Sequence, residues 1–482
     1  MSTAKRDNIK QWIHTIIGLL LMFGIPLLPP VEPITEIGMQ IGGIFIGAIY
    51  LWSTVGTFWP SLITVIALGF TDYADMYTMF AAFSDYLPML MLFCMIFFGA
   101  IGDCGLTQYI GRWFLTRKII NGRPSVFNFI MMVAVFFVSA FIDPLMALLV
   151  LWPTLYLILE EVGYTKNDAY YRILILATFI AIALGQCTLP FFGGQLVILG
   201  AFEAASGYAT NYGLYIVFNI ITSLLIFVVL TLLIKFVLRP DMSKMKNISI
   251  EQINKNPLPP MNLQQKIYIL AALIFLVAAL APSFLPAEWG FVRFLSDLNL
   301  VGFTMLAIAV LAIIKVDGKP VLDAARITRE YVSWDLYLLV VVAVYFSGCL
   351  MDEATGIQPW LVNILNPLFG SHGQLFFIIV LLVAGVVITN FANNAITGAI
   401  LMQIIVAMAP TLGIDNPVPL AMTTTLAMFL AVLTPAASPY AAVLHANDRV
   451  TMSDIIKYGG IMIAVSLIVY IVLGIPIANI LF

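Results

Sequence analysis

The chain has 482 residues, of which 62% are apolar and only 10% charged, and its mean hydropathy is +1.04. A water-soluble fold of this length has too little interior to bury that much apolar surface, so lipid must solvate most of it. The formal net charge is −3, the three histidines are far apart and the four cysteines lack CxxC spacing; nucleic-acid binding, a disulfide framework and a His/Cys metal site are therefore not expected.

The N-terminal MSTAKRDNIKQW is not followed by a small-residue cleavage site. The first apolar run, 13–28, therefore reads as a retained helix rather than a signal peptide. Spanning or near-spanning segments follow at 35–56, 58–70, 86–104, 170–203, 212–236, 267–281, 296–314, 334–352, 418–446 and 455–481. Two further apolar stretches, 124–160 and 372–411, are too long for one helix and are interrupted near their centres. Each is expected to be a re-entrant hairpin that leaves from the side it entered.

Lys and Arg orient this layout, because positive charge is retained on the cytoplasmic side. With the N-terminus inside and both long stretches folded back, 21 of the 22 basic residues fall in cytoplasmic loops, Arg293 being the exception. Were either stretch a single span, the later loops would change sides and the bias would collapse. The C-terminus is then extracytoplasmic, and a bacterial-type inner membrane is the expected location.

The polar loop 239–266 divides the chain almost in half, and the halves resemble each other at an offset near 250 residues. Ser84-Asp85-Tyr86 and Gly105-Leu106 parallel Trp334-Asp335-Leu336 and Gly356-Ile357. SAFIDP (139–144) parallels TNFANN (389–394), and Thr188-Leu-Pro190 parallels Ser438-Pro439. The predicted organisation is an N-terminal helix (1–34), a first repeat (35–236), a cytoplasmic linker (237–266) and a second repeat (267–482) of opposite topology. Such repeats place binding sites near the membrane midplane.

Four segments carry polar residues, Gly or Pro where lipid demands unbroken helix: SAFIDP, GQCTLPFFGGQ (185–195), TNFANNAIT (389–397) and TPAASPYAA (434–442). Irregular backbone at that depth survives only inside protein or along a wet cavity. The breaks supply helix ends, whose N–H groups attract anions and whose freed carbonyls hold cations. Pro190, Pro435 and Pro439 keep the helices from re-forming. Asn390, Asn393 and Asn394 offer donors and acceptors, and Ser139, Thr188, Thr397, Thr434 and Ser438 offer hydroxyls. These residues, with Pro190 and Pro439, are the expected contacts of a small carboxylate or oxyanion. Cys187, Asn219 and Gln403 have no counterpart in the repeat and are read as structural.

Asp143 is the one carboxylate placed near mid-membrane by this layout. A charge there costs about 2.5–3.5 kcal/mol on insertion scales, so it must be neutral, paired or bound to a cation. No Lys or Arg lies at its depth. Asp143 is expected to couple transport by binding Na⁺ or a proton, with direct contact to a substrate amine or a structural hydrogen bond as alternatives.

At these motifs the chain resembles the ion transporter superfamily and, within it, the divalent anion/sodium symporters that carry di- and tricarboxylates. TNFANNAIT is similar to that family's second hairpin tip, with Asn393-Asn394-Ala395 in place of Ser-Asn-Thr, and TPAASPYAAVLHA is similar to its second helix break. The first tip differs: Asp143-Pro144-Leu145 replaces Ser-Asn-Thr, and SAFIDPLMALLVLWP is as similar to the arsenite-permease and sodium/proton-antiporter branches. GQCTLPFFGGQ lacks the family's Pro-Pro-Asn, and Ala441 stands where the second would end. The resemblance covers the chain from about residue 35 to its end.

The fold class expected is an all-α polytopic membrane protein of about eleven transmembrane helices and two re-entrant hairpins. The function expected is secondary active transport of a small organic anion, a di- or monocarboxylate, coupled to Na⁺ or H⁺, with Gln186, Gly193 and Gly194 joining Asp143 around the cation. The rival readings are a metalloid or cation/proton antiporter and a carrier of zwitterionic substrates; a channel is a further alternative. No HExxH, His/Glu cluster or Ser/His/Asp set is present, so no enzyme activity or cofactor beyond the coupling ion is expected. The resemblance implies a homodimer and an elevator movement, with 124–211 and 372–450 as the moving part.

Overall fold

A computed structural model describes residues 3–115, 118–142, 144–191, 193–247, 259–435 and 437–482. Among them are ten helices long and apolar enough to cross a membrane, or eleven if the bent pair Ile357–Phe369 and Gly373–Thr389 counts as one. The all-helical class is thus as expected. Among the described residues the β-structure is a short ribbon, Lys315–Val316 against Lys319–Pro320, and an isolated bridge between Phe70 and Asp75. The ribbon's Asp317-Gly318 turn has positive φ at both residues, as a tight hairpin requires.

The interrupted stretches break where the sequence places the breaks. Pro124–Phe141 and Pro144–Glu161 form the first hairpin, and Gly373–Thr389 and Asn394–Met408 the second. The segment 170–203 is two helices, Ala169–Gly185 and Gly194–Ser206. The segment 418–446 is also two, Val418–Ala427 and the short Pro439–His445, separated by eleven residues.

Other boundaries differ from expectation. The run at 58–70 forms a helix only over Phe58–Leu68, 11 residues, well short of the roughly 20 that a crossing needs. Pattern reading passed over Leu106–Leu115, Ala324–Tyr331 and Ile357–Phe369. Each lies beside a longer apolar run, and the last meets its successor at 105°. The long helix Gly290–Ile313 is also interrupted, at Asn299 with φ 50°. There the Asn299 side chain accepts from the Val301 and Gly302 N–H groups and restarts the helix.

The interior is built around Ala169–Gly185, whose residues from Ile173 to Gly185 are all buried. The first hairpin lies against it closely enough that a Cβ at Gly185 would sit 2.5 Å from Phe136 O. Ser139 Oγ donates to Ile182 O (2.9 Å), Trp152 Nε1 to Thr178 Oγ1 (3.1 Å) and Tyr170 OH to Asn128 Oδ1 (2.5 Å). At the end of the molecule rich in basic loops, Arg172 pairs with Asp454 (3.1 Å) and Asn447 Nδ2 donates to Tyr156 OH (2.7 Å). Arg449 lies 4.2 Å over the Tyr156 ring and 3.7 Å from Glu160. The contacts at Tyr156 and Glu160 fasten the first hairpin to the segment that follows the second break, and Arg172 ties the helix Ala169–Gly185 to the same segment.

Elsewhere Arg326 bridges to Asp103, which also accepts from Tyr331 OH. The Arg326–Asp103 hydrogen bond pushes the guanidinium further above its ordinary pKa, so it stays charged.

Gly185 is the tightest point of the hairpin contact. Gly185→Ala should therefore force the hairpin off its support and destabilise the protein by roughly 1–3 kcal/mol. A thermal unfolding midpoint in detergent no lower than that of the parent would contradict this.

Candidate functional site

A cavity of about 630 Å³ lies where both hairpin tips and both helix breaks meet. The first half contributes Ser139, Ile142, Pro144 and Leu145 from its hairpin, and Gln186, Gly193, Gly194 and Gln195 from its break. The second contributes Asn393, Asn394 and Ala395, then Phe429, Ala437, Ser438, Pro439 and Tyr440. On the other side, Met95, Phe98, Gly99 and Gly102 wall it, and it extends to Thr57, Glu330, Tyr331, Ser333 and Asp335. Asp143 lies outside the described residues; its chain neighbours Ile142 and Pro144 are both in the wall.

Two of the helices that begin at the cavity come from different halves of the chain. Gly194–Ser206 starts with no side-chain cap; its Leu196 N–H is taken by Gly193 O (3.0 Å), and the Gly194 and Gln195 N–H groups precede it at the helix start. At the other, Asn393 Oδ1 accepts from the Ala395 and Ile396 N–H groups (3.0 and 3.3 Å), so its amide nitrogen is turned outward. The Asn394 side chain bonds to Thr389 Oγ1 (3.0 Å) and offers the other end of its amide to the cavity. The two helix starts nearly touch: a Cβ at Gly194 would lie 3.1 Å from the Ala395 Cβ.

The breaks are held open by two side-chain amides. Gln195 Nε2 donates to Gln186 O (2.9 Å) and Leu189 O (2.8 Å), taking over carbonyls that a continuous helix would have satisfied. Its Oε1 occupies the space where a Gly193 side chain would stand, 2.3 Å from an added Cβ. In the second half, Asn390 Nδ2 donates to Val386 O (2.7 Å) and Leu430 O (3.0 Å). Its Oδ1 accepts from the Val432 and Leu433 N–H groups (2.9 and 2.8 Å), and its carbonyl accepts from Thr434 Oγ1.

Of the expected contacts, Ser139, Gln186, Gly193, Gly194, Asn393, Asn394, Ser438 and Pro439 are brought together on the cavity wall. Thr188, Pro190, Asn390, Thr397 and Thr434 are not. Asn390 has spent its amide on backbone and Thr434 is bonded to Asn390, while Thr397 is buried at 5% exposure in its helix. Thr188 Oγ1 accepts from Asn219 Nδ2 (2.9 Å), and Asn219 also bonds Leu184 O and Ser223 Oγ. The sequence analysis missed Gln195, although it closes the quoted motif GQCTLPFFGGQ. It also missed the contributions of Thr57, Phe429 and 330–335, which no local pattern marks.

The wall carries Glu330 and Asp335 and, among the described residues, no Lys, Arg or His. Asp335 Oδ1 accepts from Thr57 Oγ1 (3.1 Å) and Glu330 lies 3.4 Å from Arg326. Both carboxylates are on exposed residues. An anion at the tips would be held by amides, hydroxyls and helix ends rather than by a fixed positive charge. Among the described residues no group of three His, Cys, Asp or Glu is placed to hold a metal.

Comparison with known proteins adds a wider frame. The family model described as "CitMHS: Citrate transporter" matches residues 5–427. An uncharacterized transporter of Haemophilus influenzae is 22% identical over 482 residues, covering 96% of each chain. The Na⁺/citrate cotransporter of Rattus norvegicus is 26% identical over 138 residues, 28% of this chain and 23% of that one. Among solved structures, the Alcanivorax borkumensis YdaH transporter, described as having an unusual topology, superposes with a TM-score of 0.59. It is 15% identical and the match covers 98% of this chain and 97% of that one, so the likeness is one of fold.

Asn390 and Asn393 should respond differently to truncation. Asn390→Ala strands Leu430 O and the Val432 and Leu433 N–H groups, and should cost on the order of 3 kcal/mol of stability in the empty protein. Asn393→Ala loses one cap, about 1 kcal/mol, and should act mainly on ligand affinity. Thermal unfolding of both variants, empty and with ligand, separates the roles; equal losses in the empty protein would refute the distinction.

Proposed function

The chain belongs to the citrate transporter (CitMHS) family, and from this we propose that it moves a di- or monocarboxylate across the membrane, coupled to Na⁺ or H⁺ through Asp143. It is a multi-pass membrane protein and a secondary carrier of an organic anion, not an enzyme. The observation that carries the finer reading is the convergence of both hairpin tips and both breaks on one cavity. Helices in lipid do not surrender backbone hydrogen bonds at four places unless the freed groups serve something.

The carboxylate is bound by the outward amide of Asn393, the amide of Asn394, the Ser438 hydroxyl and the uncapped N-terminus at Gly194, while Ser139, its hydroxyl donated to Ile182 O, only shapes the wall. These dipoles favour negative charge without adding a formal positive one. Without Lys, Arg or His in the described wall, a bound cation or proton supplies the compensation, and Asp143, beside Ile142 and Pro144, takes it with Gln186, Gly193 and Gly194. A buried carboxylate next to an anion stays charged only when a cation accompanies it. Cation and substrate therefore raise each other's affinity by the same factor.

The order of elements supports two repeats of opposite topology. In each half a long apolar helix is followed by a shorter one that begins at a positive-φ glycine, Gly105 or Gly356, then a hairpin, a broken helix and a closing helix. In that topology the exposed part of the wall at Glu330 and Asp335 lies on the cytoplasmic side with the basic loops. The conformation is then inward-facing. Hairpins and broken helices move as an elevator within a dimeric scaffold, as the family resemblance implies.

The test is uptake of radiolabelled succinate and citrate into vesicles, with Na⁺ and pH gradients imposed separately. Asp143→Asn should abolish the cation dependence while the protein still folds. If the variant keeps a Na⁺- or H⁺-stimulated uptake equal to the parent's, Asp143 is not the coupling residue. Counterflow that fails to saturate in the parent would instead indicate a channel.

A further inference from the structure

Gln403 is 4% exposed, and neither its amide oxygen nor its amide nitrogen has a hydrogen-bond partner. It sits in the second arm of the second hairpin, on a small void closed by Phe45, Trp52, Leu339, Ser347 and Val197. The void offers about 20 Å³ to water, room for a single molecule. The polar groups beside it are already engaged: Ser347 Oγ donates to Ala343 O (2.8 Å) and Trp52 Nε1 to Ser61 Oγ (3.1 Å). A buried amide in that setting destabilises the conformation that contains it, because no protein group replaces its bonds to bulk water and the void has room for only one confined molecule.

Its position gives the cost a direction. The void lies in the seam between two groups of helices. Gly194–Ser206 and Asn394–Met408 face Glu36–Thr54 and Trp334–Met351 across it. The seam is apolar and close: a Cβ at Gly200 would lie 2.7 Å from Val344 Cγ2, and one at Gly348 lies 3.9 Å from Ala204 O. An apolar seam sets no strong register of its own, so a single polar side chain on it weighs heavily on where the two groups stop.

We propose that Gln403 is a positioning residue for the transport movement: its unpaired amide penalises the arrangement described here relative to one in which the hairpin-bearing group has shifted along the scaffold and the amide has found a partner. The proposal rests on the elevator reading above. Gln403 touches neither substrate nor coupling ion and acts only through the balance of conformations.

Gln403→Leu and Gln403→Met each remove the two unpaired atoms at similar volume. In full-length protein both should raise the thermal unfolding midpoint, lower the turnover of radiolabelled succinate or citrate at least fivefold, and leave equilibrium affinity within twofold. A cysteine pair introduced by Ala204→Cys and Gly348→Cys, with Cys94, Cys104, Cys187 and Cys349 replaced, reads the seam. Its cross-linking yield should equal or exceed that of the same background with Gln403 intact. A lowered midpoint, a turnover loss below fivefold, an affinity change beyond twofold or a reduced cross-linking yield would overturn the proposal. Should the parent transport neither carboxylate, that result counts against the proposed function, while the midpoint and cross-linking still decide the role of Gln403.

Discussion

A chain that interrupts its helices in lipid must find a partner inside the protein for every N–H and C=O it frees, since hydrocarbon offers none. Here two carboxamides answer that constraint. Gln195 reaches back to two carbonyls of the first break, and Asn390 grips the second break with both ends of its amide. A carboxamide suits this task because it copies the donor and acceptor of a peptide group without its covalent connectivity. Everything at the cavity depends on these two braces, because they keep the helix ends apart and facing inward.

The braces also explain how the wall can be polar yet carry no positive residue among those described. Binding groups that are backbone ends and neutral amides need no neutralisation when the cavity is empty, so the protein avoids placing an unpaired cation in lipid. The fixed ion pairs lie elsewhere, in Arg326 with Asp103 and in the Arg172, Arg449, Asp454 and Glu160 group. These staple loops and hairpin bases at exposed ends, where water pays part of the desolvation. On the proposed function the distribution is a division of labour between charge for fastening and dipoles for recognition.

Much of this was legible in the sequence, and the reasons are specific. The paired arms were readable because an apolar stretch of nearly 40 residues is too long for one crossing helix and carries its helix-breaking residues near its centre. The breaks were readable because Pro190, Gly193, Gly194 and Pro439 violate helix chemistry where lipid forbids it. What failed was the distinction between residues that line a break and residues that hold it. Asn390 and Asn393 are three positions apart and chemically identical, yet one is consumed by backbone and the other faces the cavity. Only the path of residues 428–434 across the hairpin decides that, and no local spacing encodes it. Gln403 was unreadable for the opposite reason: its role lies in a partner it lacks. The short helices at 58–68, 106–115 and 357–369 were blurred by apolar neighbours, since a hydropathy window cannot distinguish an apolar helix across the membrane from one beside it.

The near contact of Gly194 with Ala395 has a consequence of its own. Each helix that starts there carries roughly half a positive charge at its first turn, and the two starts belong to different halves of the chain. Like ends held this close repel when nothing lies between them. On the proposed function an anion seated between the two starts balances them, so each half of the chain supplies only half of the site.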